Sequence, residues 1–138
     1  MELRKIITQP VETVGPDTSI RAIATKMRDL RIGALPVVHG ERVIGIVTDR
    51  DIVTRLLPDL ELVDGVTAAQ IMSDVVRHCY LDQEIEEAAA IMGDYQIRRL
   101  LVLDHDQRLV GIVSLGDIAE DASERIAGEI LGEVVEER

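Results

Sequence analysis

The chain reads as a mixed α/β (α+β) protein made of two copies of one small unit, each ordered strand, helix, strand, strand, helix. Two observations predict this: a repeat running almost the full length, and an alternation of helical and strand periodicities inside each copy. Sliding the sequence by 65 residues lays "VETVGPDTSIRAIATKMRDLRIGALPVV" on "VRHCYLDQEIEEAAAIMGDYQIRRLLVL", so that Val11 meets Val76, Asp17 meets Asp82 and Met27 meets Met92. One extra residue in "DHDQR" against "HGER" moves the offset to 66, and "GIVTDRDI" (45–52) then falls on "GIVSLGDI" (111–118). The lead-ins "KIIT" (5–8) and "QIMS" (70–73) match as well.

Each copy is expected to open with a short strand and then a helix. Asp17 or Thr18 in the first copy, and Asp82 in the second, suit the N-cap. Ile20, Ile23, Ala24, Met27 and Leu30 then mark one helical face, and Ile85, Ala88, Ala89, Met92 and Tyr95 repeat it. The methionines on these faces read as core filler. The apolar runs "ALPVV" and "RVIGIV", and their counterparts "LLVLD" and "RLVGIV", flank short turns and predict hairpins. A short closing helix follows in each copy, the first stopped by Pro58. Units of about 50 residues bury little on their own, so two copies packed sheet to sheet about a pseudo-twofold axis are expected. The expected divisions are a first repeat over 1–60, a second over 61–123 with a linker near 59–70, and a terminal amphipathic helix over 124–138. That helix carries Ile126, Ile130, Leu131 and Val134 at helical spacing.

Composition narrows the class. Of 138 residues 46% are hydrophobic, yet Tyr80 and Tyr95 are the only aromatic residues, so the core is aliphatic. No apolar run reaches the roughly 18–20 residues of a membrane span, and "MELRKIITQP" is no signal peptide, so a cytoplasmic location is expected with no membrane partner. Lys and Arg total 15 against 26 Asp and Glu, a formal charge of −11 that disfavours nucleic acid. Cys79 stands alone and reads as a small buried residue, not a reactive thiol. His39, His78 and His105 lack ligand spacing, so no metal site is expected.

The chemistry concentrates where each hairpin becomes a helix. Thr48 and Asp51, repeated as Ser114 and Asp117, sit three residues apart on one side of a first helical turn. A carboxylate there can accept from both hydroxyls of a ribose, as in dinucleotide folds. A hydroxyl beside exposed backbone N–H groups suits phosphate. The glycine three residues earlier permits close approach of backbone or ligand. Helix capping explains the same residues without any ligand, and both readings stand at this point.

The two copies resemble CBS domains, the module named for cystathionine β-synthase. The resemblance rests on "PDTSIRAIATKM", "IGALPVV" and "GIVTDRDI" in the first copy and on "LDQEIEEAAAIM", "IRRLLVLD" and "GIVSLGDI" in the second. A tandem pair resembles a Bateman module over residues 1–121. The resemblance implies a regulatory module that binds an adenosyl ligand in clefts between the copies: AMP, ADP or ATP, with S-adenosylmethionine or NAD as lesser choices. It implies that Asp51 and Asp117 hold ribose and that Thr48 and Ser114 hold the hydroxyl or phosphate end. Adenine would lie against the segments starting at Thr8 and Ser73 and the strands of Pro36 and Leu101. A homodimer is implied too.

Phosphate calls for cations, and here the copies differ. Arg98 and Arg99 precede the second hairpin, where the first copy has Gly33 and Ala34, so unequal sites are expected. Arg50 is a further candidate for a phosphate or partner contact. No nucleophile or Walker-type loop stands out, so no catalysis and no required cofactor are expected. With the sequence ending at Arg138, output is expected through an effector protein or self-association. The alternative is a constitutive interaction scaffold with empty clefts; a nucleotide hydrolase is a weaker third.

Overall fold

The computed structural model describes residues 2–74, 76–121, 128 and 130–133. The fold is mixed α+β. A 3-10 turn, Leu3–Lys5, is followed by α1 (Ile20–Leu30), β1 (Ala34–His39), β2 (Arg42–Thr48) and α2 (Asp49–Asp51). The chain runs on from α2 as a π-helical segment, Ile52–Leu56, and a 3-10 stretch, Leu57–Gly65. Then come α3 (Ala68–Ile71), β3 (His78–Tyr80), α4 (Ile85–Tyr95), β4 (Arg99–Leu103), β5 (Leu109–Ser114) and α5 (Leu115–Asp121). β1 and β2 form an antiparallel hairpin; β4 pairs antiparallel with β5 and parallel with β3. Among the described residues no helix is long and apolar enough to cross a membrane.

The expected order of elements holds in the second copy. In the first, the opening strand shrinks to a parallel bridge of Val14 with Val37. Pro10 and Pro16 flank this segment and lack the N–H that a longer ladder needs. The helix starts lie later than expected. Ser19 caps α1, its side chain accepting from Ala22 N, while Thr18 Oγ1 accepts from Gly15 N in the preceding turn. Glu84 takes the N-cap position of α4 with no capping bond from its side chain, while the Asp82 carboxylate bonds His105. Both helices end in a left-handed residue, Arg31 and Gln96, with Ile32 N and Ile97 N reaching back to Met27 O and Met92 O. Pro58 does not end helical structure; the break comes at Asp59 (φ −119°, ψ 53°), and most of the expected linker is itself helical.

Two compact units result, one of Met1–Val11 with Arg77–Arg138 and one of Glu12–Val76. They cut across the sequence repeats, because each repeat's lead-in packs with the other repeat. Thr8 exchanges both backbone hydrogen bonds with Ile112, at 2.9 and 3.3 Å, and Ser73 does the same with Ile46, at 2.9 and 3.0 Å. Glycine makes this possible. A Cβ on Gly45 would stand 2.5 Å from Met72 Sδ and 2.9 Å from Ser73 O, and one on Gly111 would stand 2.7 Å from Ile7 Cδ1.

Each unit has its own aliphatic core. Ile20, Ile23 and Met27 of α1 pack with Leu35, Val37, Val47, Leu56 and Ile71. Ile85, Ala88, Ala89 and Met92 of α4 pack with Leu3, Cys79, Leu100, Val102, Val113, Ile118 and Ile130. The two methionines are core residues as expected. Ala24, Leu30 and Tyr95 are exposed, a correction to the expected faces. Tyr95 lies under the Arg77 guanidinium, 3.8 Å from the ring centre. Of the terminal helix, Ile130 is buried and Leu131 exposed, while Ile126 and Val134 lie outside the described residues.

Gly45→Val should destabilise the protein by about 1–3 kcal/mol, because the added atoms must displace Met72 and main chain; urea unfolding measures it. A second expectation concerns His105, whose Nε2 lies 2.9 Å from Asp82 Oδ2 while its ring stacks on Tyr80. The hydrogen bond and charge of Asp82 raise the His105 pKa above its ordinary 6.5, and the same bond lowers Asp82 below 3.8. The pair therefore adds stability between these limits. Its contribution fades as pH rises through the raised His105 value and as pH falls through the lowered Asp82 value. NMR titration should show the His105 midpoint dropping in Asp82→Asn.

Candidate functional site

β2 and β5 end in the same local structure. Thr48 Oγ1 accepts from Asp51 N at 3.1 Å, and Asp51 Oδ2 accepts from Thr48 N at 3.0 Å. Ser114 Oγ accepts from Asp117 N at 3.1 Å, and Asp117 Oδ2 from Ser114 N at 2.8 Å. These are reciprocal capping boxes. They turn a strand directly into a helix and account for a hydroxyl and an acid spaced three apart.

The boxes also correct one expectation. Most of the backbone amides expected to face phosphate are already bonded. Asp49 N donates to Gly33 O at 2.9 Å, Arg50 N to Asp49 Oδ1 at 2.8 Å, and Leu115 N to Arg98 O at 2.8 Å. An anion at either junction must therefore be met mainly by side chains. The glycines, too, make room for the chain's own lead-ins.

Some capacity is left over. A capping hydroxyl that accepts still has its proton to donate. Asp51 turns its second oxygen to Arg55, with Oδ1 3.6 Å from Nε. The second oxygen of Asp117 has no protein partner among the described residues, so it can accept from a diol.

The residues expected on the adenine side assemble into two rungs. Leu101 pairs with Ile112, which pairs with Thr8; Pro36 pairs with Ile46, which pairs with Ser73. Each rung lies two residues before a capping hydroxyl. Pro36 and Leu101 are buried, Thr8 is exposed and Ser73 is partly buried.

Arg98, Arg99 and Ser114 line a cavity of about 440 Å³, together with Leu115, Gly116, Ala119, Gly128 and Leu131. Neither arginine is in an ion pair among the described residues, although acids outnumber bases 26 to 15 in this chain. Asp117 is not in the lining; its carboxylate sits one turn into α5, bonded back to Ser114. The junction at Thr48, in the unit of Glu12–Val76, is different. Asp49 occupies the position of Leu115, and a Cβ on Gly33 would stand 3.0 Å from its carboxylate. Where the second junction presents two guanidiniums, the first presents Asp49 and Asp51. Arg50 is exposed on α2, belongs to that other unit and forms no ion pair among the described residues. Sequence reasoning missed Asp49 as a repelling charge, although "TDRD" against "SLGD" carried the signal. It also missed Gly128 and Leu131, whose role depends on where the terminal segment packs.

Reactive groups are scarce. Burial pushes the Cys79 thiol up to about 12, so it stays protonated. Among the described residues no three His, Cys, Asp or Glu side chains are placed to hold a metal.

The CBS-domain pattern matches twice, over residues 3–58 and 68–124. The chain belongs to the CBS-domain family. It is 36% identical over 131 residues to the CBS domain-containing protein YhcV of Bacillus subtilis, covering 94% of this chain and 91% of that protein. The crystal structure of Hypoxic Response Protein I, which has two coordinated zinc ions, is similar with a TM-score of 0.79 and 33% identity, over 89% of this chain and 100% of that one. The CBS domain pair of protein MJ0100, solved with 5′-methylthioadenosine and S-adenosyl-L-methionine, matches with a TM-score of 0.76 and 28% identity, over 87% of this chain and 94% of that one. The two compact units are thus the parts of a CBS pair, and the capping boxes close the last strand of each domain.

Replacing Ser114 with Ala should cost about 1 kcal/mol by removing one arm of its box. Thr48→Ala should cost a similar amount, read from denaturant midpoints.

Proposed function

We propose that this CBS pair is a non-catalytic regulatory module whose second junction binds an adenosyl ligand with an anionic tail. One observation carries the reading: two guanidiniums with no ion pair among the described residues share a cavity with a serine hydroxyl in a strongly acidic chain. Guanidinium pairs suit phosphate through bidentate, charge-assisted bonds. The outer oxygen of Asp117 supplies the ribose acceptor, and the rung of Thr8, Ile112 and Leu101 stands beside it for the base. The ligands of MJ0100 support the adenosyl class. The arginine pair favours AMP, ADP or ATP over S-adenosylmethionine or NAD. Output passes through a homodimer or an effector protein, with the nucleotide shifting a conformational equilibrium by its differential affinity.

The first junction is expected to bind weakly or not at all, because Asp49 and Asp51 repel the phosphates that Arg98 and Arg99 attract. A constitutive scaffold is the second reading. The reciprocal bonds of Thr48 with Asp51 and of Ser114 with Asp117 favour it, since both capping boxes are complete without a ligand.

Thermal unfolding with AMP, ADP, ATP, S-adenosylmethionine and NAD separates the two. A ligand at about 100 times its Kd adds about 2.7 kcal/mol, or roughly 5–10 °C for a chain of this size. Asp117→Asn should weaken nucleotide binding more than Asp51→Asn does, and Arg98→Ala with Arg99→Ala should weaken it at least tenfold, by titration calorimetry. No shift with any of the five would establish the scaffold instead.

A further inference from the structure

The terminal helical residues pack on α4 at a seat that only one repeat possesses. A Cβ on Gly93 would fall inside the van der Waals envelope of the Glu133 carboxylate and 3.1 Å from Ile130 Cδ1. The position equivalent to Gly93 in the first repeat is Arg28, whose long side chain offers no such gap on α1. Ile130 enters the core formed by α4, β4 and β5, while Gly128 and Leu131 from the same segment line the cavity of Arg98 and Arg99. Its apolar side comes from Leu115, Ala119 and Leu131, and its charged side from the arginines. The segment that sits on Gly93 is therefore also a wall of the basic cavity.

We propose that Gly128 and residues 130–133 act as a strap whose seating on α4 completes one wall of the cavity and is coupled to the ligand held there. The coupling rests on the reading of this cavity as the nucleotide site. Seated, the strap gives a bound molecule the Leu131 side chain to pack against, beside guanidiniums that stay exposed. Unseated, it takes that apolar contact away. Because linkage is reciprocal, a nucleotide that binds the completed cavity must tighten the strap by the same factor that the strap tightens the nucleotide. The strap is thus the part of this chain whose order reports the ligand to a partner.

Hydrogen exchange read by mass spectrometry, with calorimetry using AMP, ADP and ATP, tests this on the full chain. Gly93→Leu fills the seat, and Ile130→Ala loosens the anchor without adding bulk to α4. Each should speed exchange at 128–133 about tenfold, leave β4 and β5 unchanged, and weaken the best-bound nucleotide at least fivefold. In the unaltered protein that nucleotide should slow exchange at 128–133. A freed strap with unaltered affinity, or a bound nucleotide that leaves exchange there unchanged, overturns the coupling while the nucleotide site stands. Absence of binding by all three nucleotides to the unaltered chain overturns the site and the coupling together.

Discussion

Without side chains at Gly45 and Gly111, a neighbouring segment can lie directly on the last strand of each unit, and much of the molecule follows from that contact. Met72 and Ser73 cross Gly45 and Ile46; Ile7 and Thr8 cross Gly111 and Ile112. Each crossing is held by two backbone hydrogen bonds whose partners lie more than 25 residues apart in sequence. The crossing draws the lead-in of one repeat into the unit of the other, so the chain cannot be cut between its repeats without breaking both cores. It also sets the rung of residues beside each strand-to-helix junction.

At the junctions, one arrangement of side chains serves two ends. The capping box uses one carboxylate oxygen and the acceptor side of one hydroxyl, and leaves the outer oxygen and the hydroxyl proton. At the second junction that remainder adjoins two arginines that have no ion pair among the described residues. At the first it is partly taken up by Arg55 and lies beside another acid, Asp49. Duplication supplied two equal frames, and the charges added around them made the frames unequal. Long-range electrostatics cannot create this difference, since both units sit in the same acidic chain; short-range pairing does.

The sequence by itself determined a good deal. The repeat, the helical faces of Ile20, Ile23 and Met27 and of Ile85 to Met92, the hairpins, and the chemistry of Thr48, Asp51, Ser114 and Asp117 are all local patterns. Local patterns survive without knowledge of what packs against them. Arg98 and Arg99 against Gly33 and Ala34 were legible as an asymmetry for the same reason, and so was the buried character of Cys79. Ser19 in place of Asp17 or Thr18 as the N-cap is a shift within a run of capping residues that propensity does not resolve.

Only the tertiary structure decided which lead-in meets which strand, because hydrophobic pattern marks a buried edge without naming its partner. It decided that Ala24 and Leu30 stay exposed, since a helix offers more apolar surface than a two-stranded sheet can cover. It showed most of the junction amides already bonded, to capping side chains and to the backbone of Gly33 and Arg98, which no spacing rule contains. It also set Gly128 and Leu131 on the wall of the arginine cavity. That placement depends on the gap above Gly93, and a missing side chain becomes a seat only when a distant segment arrives to fill it.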